Sequence, residues 1–208
     1  MSPPPADSRE TRRLLERAAQ GDQTAFNRLF GLYRGGLKRL VALRLDERLK
    51  PRLDPSDIVQ ETQMVAYRRF ADYLERRPMP FRLWLRKTAQ QLVHEAQRNH
   101  LQRHCRSLLK EEGPLNRSSL LLARKLLTDQ SSPADKLARR EQQRRVSAAV
   151  AALSDRDRDI VMMRNVEGLS FEEIAQVLEL QAAAVRQRYG RALLKLRTKL
   201  KPTSLSDS

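Results

Sequence analysis

The chain has 208 residues, which allows one large domain or two small ones. Its 41 Lys and Arg residues outnumber its 25 Asp and Glu residues, and the net charge of +16 favours a polyanionic partner, nucleic acid before an anionic membrane surface. The single cysteine, Cys105, excludes an internal disulfide and a zinc site built from cysteines. No stretch approaches the roughly 20 apolar residues of a membrane span, and the first residues carry no apolar secretory segment. The sequence therefore predicts a soluble, cytoplasmic protein.

Apolar residues recur at helical spacing along almost the whole chain, and no alternating run indicates a strand. The sequence therefore predicts an all-α fold, with two helical domains joined by a flexible linker. In the first domain Asp22 can cap a helix whose apolar stripe begins with Ala25, Phe26, Leu29 and Phe30. Such a stripe is typical of a helix that packs on one side only.

The segment 54–62, DPSDIVQET, is acidic within this basic chain. Asp54 is a good N-cap, Pro55 suits the first helical position, and Asp57 lies where the helix dipole favours an acid. Capping thus accounts for the two aspartates but not for Gln60 and Glu61, which follow in the next turn. On the pattern alone, a solvated face and a docking surface both remain open.

A basic, amide-rich helix is predicted to begin near Phe81. Between residues 82 and 106 it carries six Lys or Arg residues and one acid. Trp84 shares an apolar stripe with Phe81 and Leu85, which makes it a core residue rather than a platform for stacked bases. The chain's three histidines lie in this polar segment without a carboxylate cluster, so neither a metal site nor a cofactor is predicted.

Helix breakers interrupt the rhythm further along, at Gly113-Pro114 and at Ser131-Ser132-Pro133. We therefore expect a first domain over residues 9–106, a linker over 107–132 and a second domain over 133–201.

The second domain ends in the pattern of a helix-turn-helix. Ser154 can cap a support helix, and Ser170 with Glu173 forms an S-x-x-E capping box for the next one. The residues expected to face inward from that short helix are Ile174, Ala175 and Leu178.

The last helix follows a break at residues 179–181 and is free of acids. From Gln181 to Lys201 there are seven basic residues and no acid, which suits a helix that enters the major groove of DNA. Arginine can bind guanine through two hydrogen bonds, and glutamine can bind adenine in the same way. The residues on its outer face are Arg186, Gln187, Gly190 and Arg191.

Three stretches, in this order, resemble bacterial sigma factors of the extracytoplasmic-function type. DPSDIVQET is similar to the family's acidic D-x-V-Q-E-T helix start, and WLRKTAQQLVHEAQR is similar to its W-L-x-x-I-A-x-N-x-x-x-D-x-x-R segment. SFEEIAQVLELQAAAVRQRYGRALLKLR is similar to its C-terminal helix-turn-helix. The resemblance runs from about Leu14 to Leu200, the linker excepted.

The resemblance implies a transcription initiation factor and not an enzyme. Its partners would be core RNA polymerase, through the clamp helices of the largest subunit and the flap, and promoter DNA. An anti-sigma protein is a further candidate partner, while neither a membrane nor a small-molecule substrate is implied. The core-binding face would comprise Asp57, Gln60, Glu61 and Met64. Recognition and opening of the minus 10 element would fall to Arg82, Arg86, Lys87, Gln90, Gln91 and Arg98. The minus 35 element would be recognised by Arg186, Gln187, Gly190 and Arg191.

The chain departs from the family pattern at several positions. Gln91 stands in place of an asparagine, Glu95 in place of an aspartate, and Thr88 in place of an isoleucine. The turn before the last helix, Glu179-Leu180-Gln181, lacks the glycine and the capping Ser or Thr that relatives often carry. These differences suggest that the promoter sequence recognised differs from that of better-known relatives.

Three other functions fit parts of the sequence. A helix-turn-helix repressor or activator would share the second domain, but it would need a ligand pocket or dimer surface in the first. An enzyme acting on DNA would need a nucleophile paired with a base, or clustered carboxylates for a metal, and neither is evident. A helical RNA-binding protein fits the charge but would not need the ordered helix-turn-helix.

Overall fold

The structure, a computed structural model, describes residues 8–45, 49, 52–108, 145–146, 148–150 and 152–200. Within these residues all regular secondary structure is helical, as predicted. The chain divides into two compact units, Met1–Gly113 and Pro114–Ser208. In the described part of the chain, no helix has the length and apolar character needed to cross a membrane.

The first unit is a bundle built around the long helix α2. Its helices are α1 (Arg9–Ala19), α2 (Gln23–Arg44), α3 (Pro55–Arg68), α4 (Phe70–Arg76) and α5 (Phe81–Leu108). Helix α2 packs against α1, α3 and α5, and α3 also packs against α5. Because α2 is in the middle of these contacts, α3 and α5 each keep one face toward solvent.

The core of the first unit is rich in aromatic rings. Phe26 meets Phe70 edge to face at 5.1 Å between ring centroids, and Phe81 meets Tyr73 in the same way at 5.4 Å. Trp84 lies 4.6 Å from the Tyr73 ring and packs against this cluster while half-buried. Its assignment to the core is therefore confirmed.

Four helices begin at the N-caps that the sequence predicted. Each cap side chain accepts a hydrogen bond from a backbone N–H in the first turn, which satisfies a group that the helix itself leaves unpaired. The pairs are Asp22 with Ala25, Asp54 with Ser56, Ser154 with Asp157, and Ser170 with Glu173. At Ser170 the capping box is complete, because the Glu173 carboxylate also accepts the Ser170 N–H at 2.8 Å.

The second unit contains α6 (Asp155–Asn165), α7 (Phe171–Leu178) and α8 (Ala182–Leu200), which pack on one another in all three pairs. Ile160, Ile174 and Val185, one from each helix, are fully buried. In α7 the inward prediction is confirmed for Ile174 and Ala175, but Val177 is buried where Leu178 is only half-buried. A three-helix core of this kind holds α7 and α8 in a fixed relation.

The turn between α7 and α8 ends α7 with a left-handed residue. Glu179 has φ 55° and ψ 47°, and the Leu180 N–H donates to the Ala175 carbonyl at 2.9 Å. This is a Schellman-type helix end, a position that glycine usually occupies. The sequence break predicted at 179–181 therefore lies at the turn of the helix-turn-helix.

The division between the units falls inside the linker predicted at 107–132. Helix α5 extends to Leu108, two residues beyond the predicted end of the first domain. Residues 109–132 and the start of the second domain at 133 lie outside the described residues.

Candidate docking and nucleic-acid interfaces

Helix α3 presents one exposed face that is acidic and partly apolar. Asp57, Gln60, Glu61 and Met64 are all exposed, at the i, i+3, i+4, i+7 spacing of a single helix face. The opposite face is buried against the core, and there the Thr62 hydroxyl donates to the Ile58 carbonyl at 2.7 Å. The structure thus brings the four predicted docking residues together.

An aromatic residue extends this face and was not predicted from the sequence. Tyr67 is 48% exposed and Met64 is 57% exposed, both unusual values for large apolar side chains. The Tyr67 ring also meets Phe26 edge to face at 5.1 Å, which fixes its position. The missed signal was spacing, because Tyr67 lies three residues after Met64 on the same side of the helix. We call Asp57, Gln60, Glu61, Met64 and Tyr67 the α3 face.

Two residues of the α3 face, Met64 and Tyr67, are of types that are enriched at protein interfaces. Exposed Met and Tyr side chains are enriched where proteins meet, because they bury a large apolar area. Asp57 and Glu61 add negative charge that suits a basic partner and repels phosphate. Gln63, on the flank, donates to Asn27 at 3.0 Å and ties α3 to α2.

Helix α5 carries most of its predicted DNA residues on accessible faces. Gln91 and Arg98 are exposed, and Arg82, Arg86 and Lys87 are half-buried. Lys87, Gln91 and Arg98 follow the i, i+4, i+11 spacing of one face, while Arg82 and Arg86 lie on an adjoining face. A helix with cations on two adjoining faces can follow a phosphate backbone.

Gln90 differs from the other residues predicted on α5. It is only 6% exposed, and its Nε2 lies 3.4 Å from the His94 Nε2. A direct contact between Gln90 and DNA would need a side-chain movement, and the Arg82 Nε and the Arg86 Nε and Nη2 are buried as well. The nearby Thr88 is also buried, and its hydroxyl donates to the Trp84 carbonyl at 3.0 Å, so the polar substitution for isoleucine is satisfied within the helix.

Helix α8 exposes all four residues predicted to contact duplex DNA. Arg186, Gln187, Gly190 and Arg191 lie on one side of the helix, and each is exposed. Opposite them Val185 and other apolar residues are buried. The first turns of α8 therefore offer donors and an acceptor to base edges, as a recognition helix does.

One residue of this face is held by α7. The Arg186 Nη1 donates to the Glu172 Oε1 at 3.0 Å, and the guanidinium carbon lies 5.9 Å from the centroid of the Phe171 ring. The Arg164 guanidinium lies 4.7 Å from the same ring centroid. Tyr189 meets the Phe171 ring edge to face at 5.4 Å. We call Phe171, Glu172 and Arg186 the Arg186 cluster.

The Glu172 carboxylate is stabilised in its charged form. Its pKa is lowered mainly by a hydrogen bond from its own backbone N–H; burial acts in the opposite direction, and the Ser170 hydroxyl and the Arg186 cation lower the pKa further. The charged form that pairs with Arg186 is therefore the form that this helix start favours. In the described part of α8, Arg191 has no ion pair of this kind.

Metal coordination finds no support among the described residues. No group of three or more His, Cys, Asp or Glu side chains there is arranged to hold an ion.

The fold and these surfaces define a two-unit helical protein that ends in a helix-turn-helix. The sequence profile described as "Sigma-70, region 4" matches residues 143–196, which contain that motif. RNA polymerase sigma factor CnrH of Cupriavidus metallidurans is 32% identical over 196 residues, covering 94% of this chain and 95% of the relative. The chain therefore belongs to the RNA polymerase sigma factors, and the relatives it matches place it in the extracytoplasmic-function type.

Other comparisons agree with this family. The ECF RNA polymerase sigma-E factor of Haemophilus influenzae is 29% identical, covering 91% of this chain and 94% of the relative. The structure of CnrH in complex with the cytosolic domain of CnrY matches with a TM-score of 0.56 at 22% identity, covering 94% of this chain and 99% of that one. The sigma factor RpoE of Bartonella quintana, in complex with the anti-sigma factor NepR, matches with a TM-score of 0.54 at 17% identity, covering 86% and 98% of the two chains. Both structures support the fold.

Proposed function

We propose that this chain binds core RNA polymerase and directs promoter-specific transcription initiation, with separate surfaces for the polymerase and for DNA. The first domain, residues 9–106, would bind the polymerase and act on the minus 10 element, and the second, residues 133–201, would recognise the minus 35 element. The observation that carries this proposal is the separation of charge. The acidic, partly apolar α3 face belongs to one unit, and the acid-free outer face of α8 belongs to the other.

The α3 face is the proposed docking site for the clamp helices of the largest polymerase subunit. Two observations support this assignment: the resemblance to the family, and the apolar area that Met64 and Tyr67 expose beside two carboxylates. A DNA-binding surface would not place Asp57 and Glu61 where phosphates approach. The flap of the polymerase is the proposed second contact, made by the other unit.

Helix α5 is the proposed surface for opening the minus 10 element. Extruding bases from a duplex costs a few kcal/mol for each base, and a basic groove can offset part of that cost. Arg82, Arg86, Lys87 and Arg98 provide the positive charge, and the Gln91 amide provides a donor and an acceptor for a base edge. Gln90 would join them only after leaving its buried position.

Helix α8 is the proposed reader of the minus 35 element in duplex DNA. Arg186, Gln187 and Arg191 are exposed on its outer face, and Gly190 leaves room for close approach. An anti-sigma protein is proposed as a regulator, because one similar structure has the sigma factor RpoE bound to the anti-sigma factor NepR.

In vitro transcription tests the function directly. The purified chain is mixed with bacterial core polymerase that lacks any sigma factor, on sheared genomic DNA from its source, and the 5′ ends of the transcripts are sequenced. We expect discrete start sites that share two upstream motifs. Absence of specific starts, together with sequence-specific binding of duplex DNA by the chain alone, would instead favour a helix-turn-helix regulator that acts without polymerase.

Two paired variants test the division of labour. Arg186→Ala with Arg191→Ala should abolish recognition of the minus 35 element and leave the affinity for core polymerase unchanged. Asp57→Arg with Gln60→Ala should weaken core binding and leave the DNA preference of the second unit intact. Equal loss of core binding in both variants would contradict the assignment of separate surfaces.

A further inference from the structure

Arg186 and Arg191, both on the exposed face of α8, are in different settings. Arg191 has no ion pair among the described residues, whereas Arg186 donates to Glu172 at 3.0 Å. Both members of this pair are exposed, with 54% of the Arg186 side chain and 61% of the Glu172 side chain accessible. An acid beside a DNA-contacting arginine lowers the attraction to phosphate, so its presence needs a reason beyond charge.

Glu172 is the second residue of α7, where an acid complements the helix dipole. That role alone would not require a side chain that spans from α7 to α8. The capping box at Ser170 and Glu173 satisfies two N–H groups at this helix start, and the Glu172 carboxylate accepts from its own backbone N–H. The contact from Glu172 to Arg186 is made in addition to this local bond.

The Phe171 ring restricts Arg186 from a second direction. The Arg186 guanidinium carbon lies 5.9 Å from the ring centroid, within the range of a cation–π contact, while Arg164 takes the nearer place at 4.7 Å. Arg164 is itself tied down by a 2.9 Å bond from its Nη1 to the Leu169 carbonyl. One ring contact and one carboxylate contact thus limit the rotamers that Arg186 can adopt.

We propose that Glu172, with Phe171, is a positioning residue that holds Arg186 of the recognition helix for a base edge and disfavours its contact with phosphate. This inference rests on the proposed function, because it assumes that Arg186 contacts DNA. Bidentate recognition of guanine needs the flat guanidinium in one orientation, and a carboxylate that accepts from one Nη leaves the other side of the fork free. A freely rotating arginine would bind the nearest phosphate without regard to sequence.

The proposal predicts two opposite effects of removing the Glu172 charge: weaker discrimination between base pairs and tighter binding to unrelated DNA. In Glu172→Gln, discrimination at the base pair that Arg186 contacts should fall about fivefold or more, a part of the range that one bidentate contact supplies. Binding to unrelated DNA should tighten about twofold or more, and its dependence on log salt concentration should steepen by about one unit, because one further cation becomes available to phosphate. A variant that merely destabilised α7 would weaken both kinds of binding.

The test uses the full chain assembled with core polymerase. Promoters found by 5′-end mapping are remade with every single base change in the upstream motif, and affinities are measured for wild type, Glu172→Gln and Glu172→Asp. Aspartate keeps the charge at the start of α7 but is one methylene too short for the 3.0 Å contact. If position matters, Glu172→Asp resembles Glu172→Gln in discrimination; if only the charge matters, it resembles wild type, which would overturn the proposal.

Two controls complete the design. Asp155→Asn removes an exposed acid that pairs with Arg158 at 3.5 Å in the same unit, and it should leave discrimination unchanged. Glu172→Gln should have no effect on discrimination once Arg186→Ala is present, and independent effects of the two changes would overturn the inference. Failure of the proposed function is a distinct outcome, since the wild-type complex would then show no promoter preference at all.

Discussion

Replacing Met64 by alanine should weaken the binding of core polymerase without unfolding the chain. Met64 is 57% exposed in the free protein, so more than half of the residue is available to a partner. Full burial of a methionine side chain contributes about 1.5–3 kcal/mol, and covering the exposed part should therefore contribute about 1–1.5 kcal/mol. That free energy corresponds to an affinity about 5- to 13-fold lower for Met64→Ala.

The assay is equilibrium competition for core polymerase. Fluorescently labelled wild-type chain is bound to core, and unlabelled variants displace it across a range of concentrations. Because Met64 is exposed, the free energy of unfolding of the variant should stay within about 0.5 kcal/mol of wild type. A thermal unfolding curve measured in parallel separates loss of an interface from loss of the fold.

Leu32→Ala is the matched control. Leu32 is 39% exposed on α2, in the same unit but outside the α3 face, so its truncation removes a similar exposed apolar side chain. We expect it to compete as wild type does. The reasoning would be refuted if Met64→Ala bound within twofold of wild type, or if both truncations weakened binding equally.

Three further predictions concern the local interactions that shape the surfaces. Ser170→Ala should lower the free energy of unfolding of the second unit by about 1 kcal/mol in urea titrations followed by circular dichroism, whereas Ser170→Thr should lose less. Lys195→Met leaves the buried Asp157 carboxylate, 7% exposed, without the Nζ that lies 3.2 Å away. The free energy of unfolding should fall by about 1–3 kcal/mol, which is less than for a fully buried pair because the lysine end is open to water. Adding Asp157→Asn to Lys195→Met should recover most of that loss; no recovery would show that the pair is not the cause. The pKa of Asp22 is lowered by the Ala25 N–H and Arg17, and that of Asp54 by the Ser56 N–H, so their stabilisation is present above the ordinary value of 3.8 and is lost as the pH falls below it. In the double variant Asp22→Asn with Asp54→Asn, the free energy of unfolding should therefore fall less steeply with decreasing pH in this range than in wild type. A slope equal to that of wild type would contradict the capping role.

Helix starts were predictable because the signals that set them are local. Asp22, Asp54, Ser154 and Ser170 each lie within three residues of the N–H that they accept, so the sequence contains both partners of the bond. The buried stripe of α2 was predictable for a similar reason, since its spacing follows the helix period.

The side chains of α5 were harder to place. Gln90 and Gln91 are adjacent and chemically identical, and both lie beside basic residues. Gln90 is nevertheless buried, with 6% of its surface exposed, whereas Gln91 is exposed. Which of them lies against the bundle depends on how α5 rolls on α2 and α3, a property of packing between distant elements. The polar residues on both flanks of the stripe leave that rotation undetermined by sequence.

The contacts of the Arg186 cluster could not be predicted from the sequence, for a geometric reason. Glu172 and Arg186 are 14 residues apart and meet only because the left-handed Glu179 turns the chain sharply between α7 and α8. The sequence marked the turn as a weak cap, but it did not indicate the angle that brings the two side chains together. Tyr67 differs, because its spacing of three residues from Met64 placed it on the same side of α3.

The acids of this basic chain have two kinds of physical cause. Those at helix starts, such as Asp22 and Asp54, are explained by the backbone N–H groups that they accept. Glu61 on the α3 face is not at a helix start, and we propose that it repels phosphate from the surface that binds protein. Screening limits the effect of each carboxylate to about 8–10 Å, so an acid acts mainly on its own face. Specificity in a chain of net charge +16 therefore depends on repulsion as well as on attraction, because an acid keeps its face from binding phosphate without regard to sequence. It follows that Glu61→Gln should make core binding sensitive to competitor DNA, an effect that loss of an attractive contact alone would not produce.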